Sequence, residues 1–186
     1  MKTPTLQTGR LILRPISLDD APAVQKYFND WDIIKYISNA PWPYPEDGAL
    51  CHIRDTVLPE MERGDGHTWV IIKGHNDVIG MVNYRLIAGE NNDNRGFWLA
   101  VPYHGQGLMT EAVHAVNDFI FNVLKVDCFY VRNVKGNIGS HRVKLKTGGR
   151  IIGECEDALA NGNTEIMELW EITKQDWEQS KKNLKL

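Results

Sequence analysis

The residues best suited to chemistry lie in the run Phe97-Trp98-Leu99-Ala100-Val101-Pro102-Tyr103-His104-Gly105-Gln106-Gly107-Leu108-Met109-Thr110-Glu111-Ala112. An apolar stretch closed by proline, a short loop with two glycines, and a helix-like stretch follow one another. That order reads as strand, tight loop and helix start. The first N–H groups of a helix have no partner within it and sit at the positive end of its dipole. Such a site binds a phosphate or pyrophosphate, and Gly105 and Gly107 let the backbone approach the anion with no Cβ in the way. The same pattern also serves as a plain strand-to-helix turn. Two other phosphate motifs do not fit. No G-x-x-x-x-G-K-[ST] run occurs. A dinucleotide fingerprint needs glycine or alanine where Thr110 stands, and Asp127 precedes its strand.

These residues need a sheet and helices to hold them. Residues 10–13 read as a strand ended by Pro15, and 18–28 as a helix with Ser17 and Asp20 as its capping pair. Pro41, Pro43 and Pro45 forbid both helix and ladder, so Trp42 and Tyr44 sit in an ordered aromatic loop. Residues 46–63 read as a helix stopped at Gly64-Asp65-Gly66. The period then changes from 3.6 to 2. Strands are predicted at 68–73, 78–86, 96–101, 128–132, 150–154 and 165–173, with turns at 74–77 and around Asn161-Gly162-Asn163. Helices are predicted at 107–124, 137–147 and 174–186. Gly148-Gly149 ends the second of these, and Thr173 with Asp176 caps the third. The layout is α+β (mixed α/β) around one sheet, as a single domain over 1–186.

Composition narrows the classes. The 186 residues are 42% hydrophobic and 24% charged, which suits a globular domain and not a disordered chain or a coiled coil. No apolar run approaches a membrane span, and residues 1–10 lack a signal-peptide core, so the expected location is cytoplasmic. The formal charge is 21 − 24 = −3, which disfavours nucleic acid as a partner but leaves room for a local basic pocket. Cys51, Cys128 and Cys155 are odd in number and widely spaced, so they form neither a disulfide framework nor a metal site and read as small buried residues.

The chain resembles the GNAT N-acetyltransferase superfamily, and within it the RimJ/RimL type that acetylates ribosomal-protein N-termini. The family signature Q/R-x-x-G-x-G/A appears as His104-Gly105-Gln106-Gly107-Leu108-Met109, followed by Thr110-Glu111-Ala112. The N-x-x-S opening of the next helix is Asn137-Ile138-Gly139-Ser140, closed by Lys146-Thr147-Gly148-Gly149. The opening T-x-R-L-x-L-R is Thr8-Gly9-Arg10-Leu11-Ile12-Leu13-Arg14, and the Pro-Trp-Pro loop is a fourth shared feature. Three positions depart from the pattern. His104 replaces Gln or Arg, Met109 replaces Gly or Ala, and Gly149 stands where Phe is usual. Met109 either narrows the pyrophosphate site or points into the core.

The resemblance implies a twisted mixed sheet of about seven strands, splayed between the fourth and fifth, with helices on both faces. It implies acetyl-CoA as cosubstrate, no metal, and a small-molecule or peptide amine as acceptor, a ribosomal-protein N-terminus among them. It further implies a monomer or homodimer with no nucleic-acid or membrane partner. The pantetheine arm would pair with Leu99, Ala100 and Val101, and an N–H near Ala100 or Val101 would stabilise the oxyanion. His104 to Thr110 would hold the pyrophosphate. Ser140 is then the candidate general acid, Asn137 a pantetheine anchor or simply an N-cap, and Arg142 and Lys144 phosphate contacts or solvated helix charges. Trp42, Tyr44 and Tyr84 would shape the acceptor pocket. Glu111 is expected to be a structural partner for backbone groups. Spacing selects no general base among Glu90, Asp93, Glu154, Glu165 and Tyr84; water would also serve. His67, His75 and His114 are expected to be structural. A non-catalytic acyl-CoA-binding module of the same fold is the alternative.

Overall fold

A computed structural model describes residues 1–74, 77–88, 93–159 and 162–183. The chain opens on β1 (Leu6–Gln7) and β2 (Ile12–Pro15). A 3₁₀ turn then leads into α1 (Ala21–Phe28). The expected capping pair forms there: Ser17 N–H donates to the Asp20 carboxylate at 2.8 Å and Asp20 N–H to Ser17 O at 3.2 Å. A short α2 (Trp31–Ile34), capped by Asp30, follows and was not expected from periodicity because it is a single turn. The helix predicted at 46–63 is α3 (Gly48–His52), one π turn at 53–57, and α4 (Leu58–Arg63). It stops at Gly64, whose φ of +80° costs a glycine little.

Next come β3 (Gly66–Lys73), β4 (Asp77–Arg85), β5 (Arg95–Leu99), α5 (Leu108–Asn122) and β6 (Cys128–Val134). The chain continues through α6 (Ile138–Lys146), β7 (Gly149–Ala158), β8 (Thr164–Thr173) and α7 (Lys174–Asn183). Thr173 and Asp176 cap α7 through bonds of 2.8 and 3.1 Å.

The strands divide into two antiparallel sheets, β1-β2-β3-β4-β5 and β6-β8-β7. The fold is therefore mixed α+β with helices packed on the sheets, as expected, but with eight strands in two sheets among the described residues where about seven in one sheet were predicted. The added strand is Leu6–Gln7. The break falls where the splay was placed, between residues 95–99 and 128–134. At the residues that lead into β5, side chain and backbone tie the two strands: Asn94 N–H donates to Tyr130 O at 2.9 Å, and Tyr130 N–H returns to Asn94 Oδ1 at 3.0 Å. A side-chain amide there takes the place of a continuing ladder.

Apolar side chains cover both faces of the larger sheet. On one face Leu13, Trp69, Ile71 and Tyr84 pack against Val113, Val116 and Ile120 of α5, and the cluster continues into Phe129, Trp170 and Trp177. On the other, Val70 and Trp98 meet Val24, Phe28, Ile34 and Ile53. β3 lies between the two clusters and is buried from Gly66 to Ile72, so its sequence is apolar on both sides rather than alternating. Among the described residues no helix is long and apolar enough to cross a membrane.

Candidate active site

The loop before α5 has the geometry its glycines imply. Gly105 and Gly107 both have φ of +74°, and a Cβ on Gly105 would meet nothing within 4 Å. The first intrahelical bond recorded at this end runs from Glu111 N–H to Gly107 O at 3.1 Å. The N–H groups of Leu108, Met109 and Thr110 therefore belong to the unpartnered helix end. Leu108 and Met109 turn their side chains into the core, at 1% and 7% exposure, so Met109 does not fill the loop.

Residues far away in the chain fasten this loop. Glu111 accepts Thr8 Oγ1–H at 2.6 Å, Arg10 N–H at 2.9 Å and Arg10 Nε–H at 2.6 Å, which is the structural role expected of it. Partial burial would raise its pKa, but these donors outweigh that and hold the carboxyl below its ordinary value. Arg10 Nη1 also donates to Gln106 O at 3.0 Å, and Lys73 Nζ to Gln106 Oε1 at 3.2 Å. His104 is exposed and donates from Nε2 to Leu99 O at 2.6 Å. Ala100 N–H is taken by Ile79 O at 2.8 Å, which removes Ala100 as an oxyanion donor and leaves Val101 as the candidate.

A cleft of about 720 Å³ opens beside the gap between β5 and β6. Residues 95–98 of β5, 132–134 of β6, and Asn137, Ser140 and Lys144 of α6 line it, with Tyr44 and the π turn opposite. A π turn of this kind often marks a functional wall. Asn137 is the N-cap of α6, accepting Ser140 N–H at 3.1 Å. Ser140 Oγ in turn accepts a 2.6 Å hydrogen bond from Lys144 Nζ. Lys144 is 3% exposed and lies 5.1 Å from the centroid of the Phe97 ring. Burial drives its pKa down to about 7; Asp93 and Glu168 work against that fall and Arg95 adds to it. Asp93, at the same wall, is raised above the ordinary carboxylate value, chiefly by loss of water. Its Oδ1 accepts Arg132 N–H at 3.3 Å. Arg95, 1% exposed, donates to Asn117 Oδ1 at 2.6 Å, and burial lowers its pKa to about 10. Behind α6, Glu168 accepts Asn133 Nδ2–H at 2.8 Å and Trp170 Nε1–H at 3.1 Å and meets His141 Nδ1 at 2.9 Å.

Several expected site residues lie elsewhere. Tyr84 is 2% exposed and packs edge-on against Phe129, on the core side of β4. Strand alternation explains this: Met81, Asn83 and Arg85 face the cleft, so Val82 and Tyr84 face away. Trp42 is 41% exposed and packs at a tilt against Trp31, ring centroids 5.2 Å apart; Tyr44, with Pro41 and Pro45, lines the cleft instead. Lys144 is not beside the phosphate loop, because four residues after Ser140 it shares the inward face of α6, whereas Arg142 is exposed.

Of the carboxylates considered as base, Asp93 lines the cleft. Glu154 pairs with Lys135 at 2.7 Å, Glu165 lies opposite Asp157 in the β7–β8 ladder, and Glu90 is outside the described residues. His67 is structural, stacked on Trp69 and accepting or donating at Nδ1 to Thr3 Oγ1 at 2.9 Å. His114 is 8% exposed on α5, and His75 lies outside the described residues. The three cysteines are half-buried rather than buried. Arg85, Arg95, Arg132 and Asn133 also line the cleft and were not singled out from the sequence. The signal that could have found Arg85 is its place two residues after Asn83 in an alternating strand.

The acetyltransferase (GNAT) domain model matches residues 10–150. A Bacillus subtilis (strain 168) protein named "Probable N-acetyltransferase YjcK" is 34% identical over 176 residues, covering 89% of this chain and 92% of that protein. The ribosomal-protein-S5-alanine acetyltransferase from Vibrio fischeri superposes with a TM-score of 0.78 at 19% identity, over 94% of this chain and 98% of its own. Spermidine N-acetyltransferase from Vibrio cholerae, solved with CoA and spermine, gives 0.75 at 16% identity, over 92% and 99%. At those identities the two structures share the fold with this chain.

Proposed function

This chain belongs to the GNAT acetyltransferase family, and on that premise we propose that it moves an acetyl group from acetyl-CoA to a primary amine whose molecule also carries an anionic group. The observation that carries the reading is one cleft lined by a hydroxyl, Ser140, and a carboxyl of raised pKa, Asp93, beside a break between two sheets. The described residues fit acetyl-CoA in two respects. The glycine loop leaves open space beside unpartnered N–H groups, which suits a pyrophosphate. β5 lacks a ladder partner beyond Asn94 on its β6 side, which suits an added extended segment.

Acetyl-CoA supplies an activated acetyl thioester. The chain's own groups do the rest in a ternary complex. Gly105 to Thr110 hold the phosphates, with His104 and Gln106 shaping the loop. Leu99 and Val101 bracket the reacting end, and Val101 N–H is the oxyanion donor. Asp93 takes the proton of the attacking amine, since its raised pKa moves it toward the working range of a base. Ser140, held by Asn137, gives a proton to the leaving sulfur.

The acceptor class follows from the cleft's cations. Arg85, Arg95, Arg132 and Lys144 line it against Asp93, Glu60 and Asp157. Among the described residues the buried Nε of Arg85 has no hydrogen-bond partner. A guanidinium so placed suits a carboxylate or phosphate. An amino acid or peptide amine is thus favoured over a polyamine.

A thermal-shift titration with acetyl-CoA, CoA, ATP and NAD, followed by a thiol-release assay over an amine panel, tests this. At a hundredfold excess over Kd the CoA compounds alone should raise Tm by about 5–10 °C. Thiol release should then favour carboxylate-bearing amines over spermidine. A shift without release from any amine would support an acyl-CoA-binding module instead; no shift would overturn both.

A further inference from the structure

We propose that Lys144 is the proton source behind Ser140: its Nζ positions the hydroxyl and replaces the proton that the hydroxyl gives to the departing sulfur. The inference rests on the acetyl-transfer reading above and assigns a role to a residue that the sequence pattern put among the phosphate contacts.

The geometry carries it. A lysine is costly to bury, and a buried one is usually paired with a carboxylate. Lys144 is 3% exposed, yet its recorded hydrogen bond is to a neutral hydroxyl, Ser140 Oγ, at 2.6 Å. Both groups face the same cleft. The aromatic face of Phe97, 5.1 Å away, stabilises the cation without taking its protons. Asp93 and Arg95 face it from the β5 side and Glu168 from β8. The two carboxylates favour the ammonium and the guanidinium opposes it.

The chemistry needs such a group. A serine hydroxyl alone is a far weaker acid than a thiol, whose ordinary pKa is about 8.5 for cysteine. Its proton can leave only if another arrives as it goes. A lysine ammonium brought to about 7 by burial is acidic enough to supply it. The balance closes over one turnover. The thioester C–S bond breaks and a C–N bond to the acceptor forms. The acceptor nitrogen loses one proton and the sulfur gains one. Ser140 passes its proton to sulfur and receives one from Lys144, so the hydroxyl ends unchanged. Lys144 ends neutral, and the proton taken up by Asp93 from the acceptor restores it through the water of the cleft.

The test uses the full chain with Lys144→Met, Lys144→Arg, Ser140→Ala and the Ser140→Ala/Lys144→Met pair, and with ¹⁵N-lysine-labelled protein. Lys144→Met should lower kcat about 100-fold with KM for acetyl-CoA and the CoA thermal shift unchanged. The double variant should be no slower than Ser140→Ala alone, because the two act as one unit. In the wild type kcat should fall as pH rises through neutrality and Lys144 loses its charge. Lys144→Arg, whose guanidinium holds the charge but does not release its proton near neutrality, should be slow at every pH and show no such fall. NMR titration of the free protein should find Lys144 losing its proton well below the other lysines, a readout that stands even if Lys144→Met misfolds. Wild-type kcat in Lys144→Met, additive losses in the pair, or an ordinary lysine titration would overturn the proposal while the acetyl-transfer reading stands. A wild-type protein that releases no thiol with any amine would overturn both.

Discussion

Asp20 shows how one side chain is held in place by several donors. It is 3% exposed, and burial alone would raise its pKa, but two bonds from Arg14, of 2.8 and 2.6 Å, and one from Ser17 N–H hold it below its ordinary value of 3.8. A carboxyl with a lowered folded pKa adds stability that is present above its unfolded pKa and lost as pH falls through the folded one. Melting curves from pH 7 to 2 should therefore show wild-type Tm dropping below about pH 4. Asp20→Asn should start about 1–2 kcal/mol less stable at pH 7 and show a shallower acid limb. In the cleft, Arg85→Ala should raise KM for a carboxylate-bearing amine about tenfold or more and leave a neutral primary amine within about twofold. Trp42→Ala should leave both KM values unchanged and lower only Tm, since Trp42 packs against Trp31 outside the cleft.

At the scale of elements, α6 carries two of the groups in the proposed proton path. Asn137 starts it, Ser140 and Lys144 share its inward face, and Gly148 follows its end with φ of +84°. A Cβ on Gly148 would stand 2.6 Å from Trp177 Cα, so backbone would have to move. Gly148→Ala should cost about 2–4 kcal/mol in urea unfolding, combining left-handed strain with the clash. Gly64→Ala also meets left-handed strain, at φ of +80°, but has open space, and should cost only about 1–2 kcal/mol. Equal losses at the two sites would contradict the close approach of the Gly148 backbone to Trp177 of α7.

For the whole molecule, the two sheets share one core through α5 and α7. Trp177 is 1% exposed and packs on Phe121 at 5.2 Å, and both belong to the cluster that joins Trp69 of the larger sheet to Trp170 of the smaller. Trp177→Ala should therefore cost about 3–5 kcal/mol. At roughly 2–4 °C per kcal/mol for a chain of this size, Tm should fall by about 6 °C or more. Near-UV and far-UV transitions should remain coincident, because one cluster spans both sheets. Separate transitions would mean that the sheets unfold independently.

Much of this was legible in the sequence because it depends on near neighbours in the chain. The capping pairs Ser17–Asp20 and Thr173–Asp176, the glycine loop before α5, the Asn137 N-cap and the order of strands and helices all follow from spacing within a few residues. Single-turn α2 and two-residue β1 were not legible, because neither is long enough to show a period. The site was legible only as a neighbourhood. That Asp93 and not Glu154 faces Ser140's cleft, that Tyr84 faces the core while Arg85 does not, and that Lys144 is buried against Ser140 were decided by tertiary structure. The physical reason is that burial, and the pKa it sets, belongs to surfaces assembled from distant segments. Lys144 on α6 owes its lowered proton affinity first to burial; Arg95, about fifty residues earlier, adds to the fall, while Asp93 beside it in the chain and Glu168 on β8 oppose it.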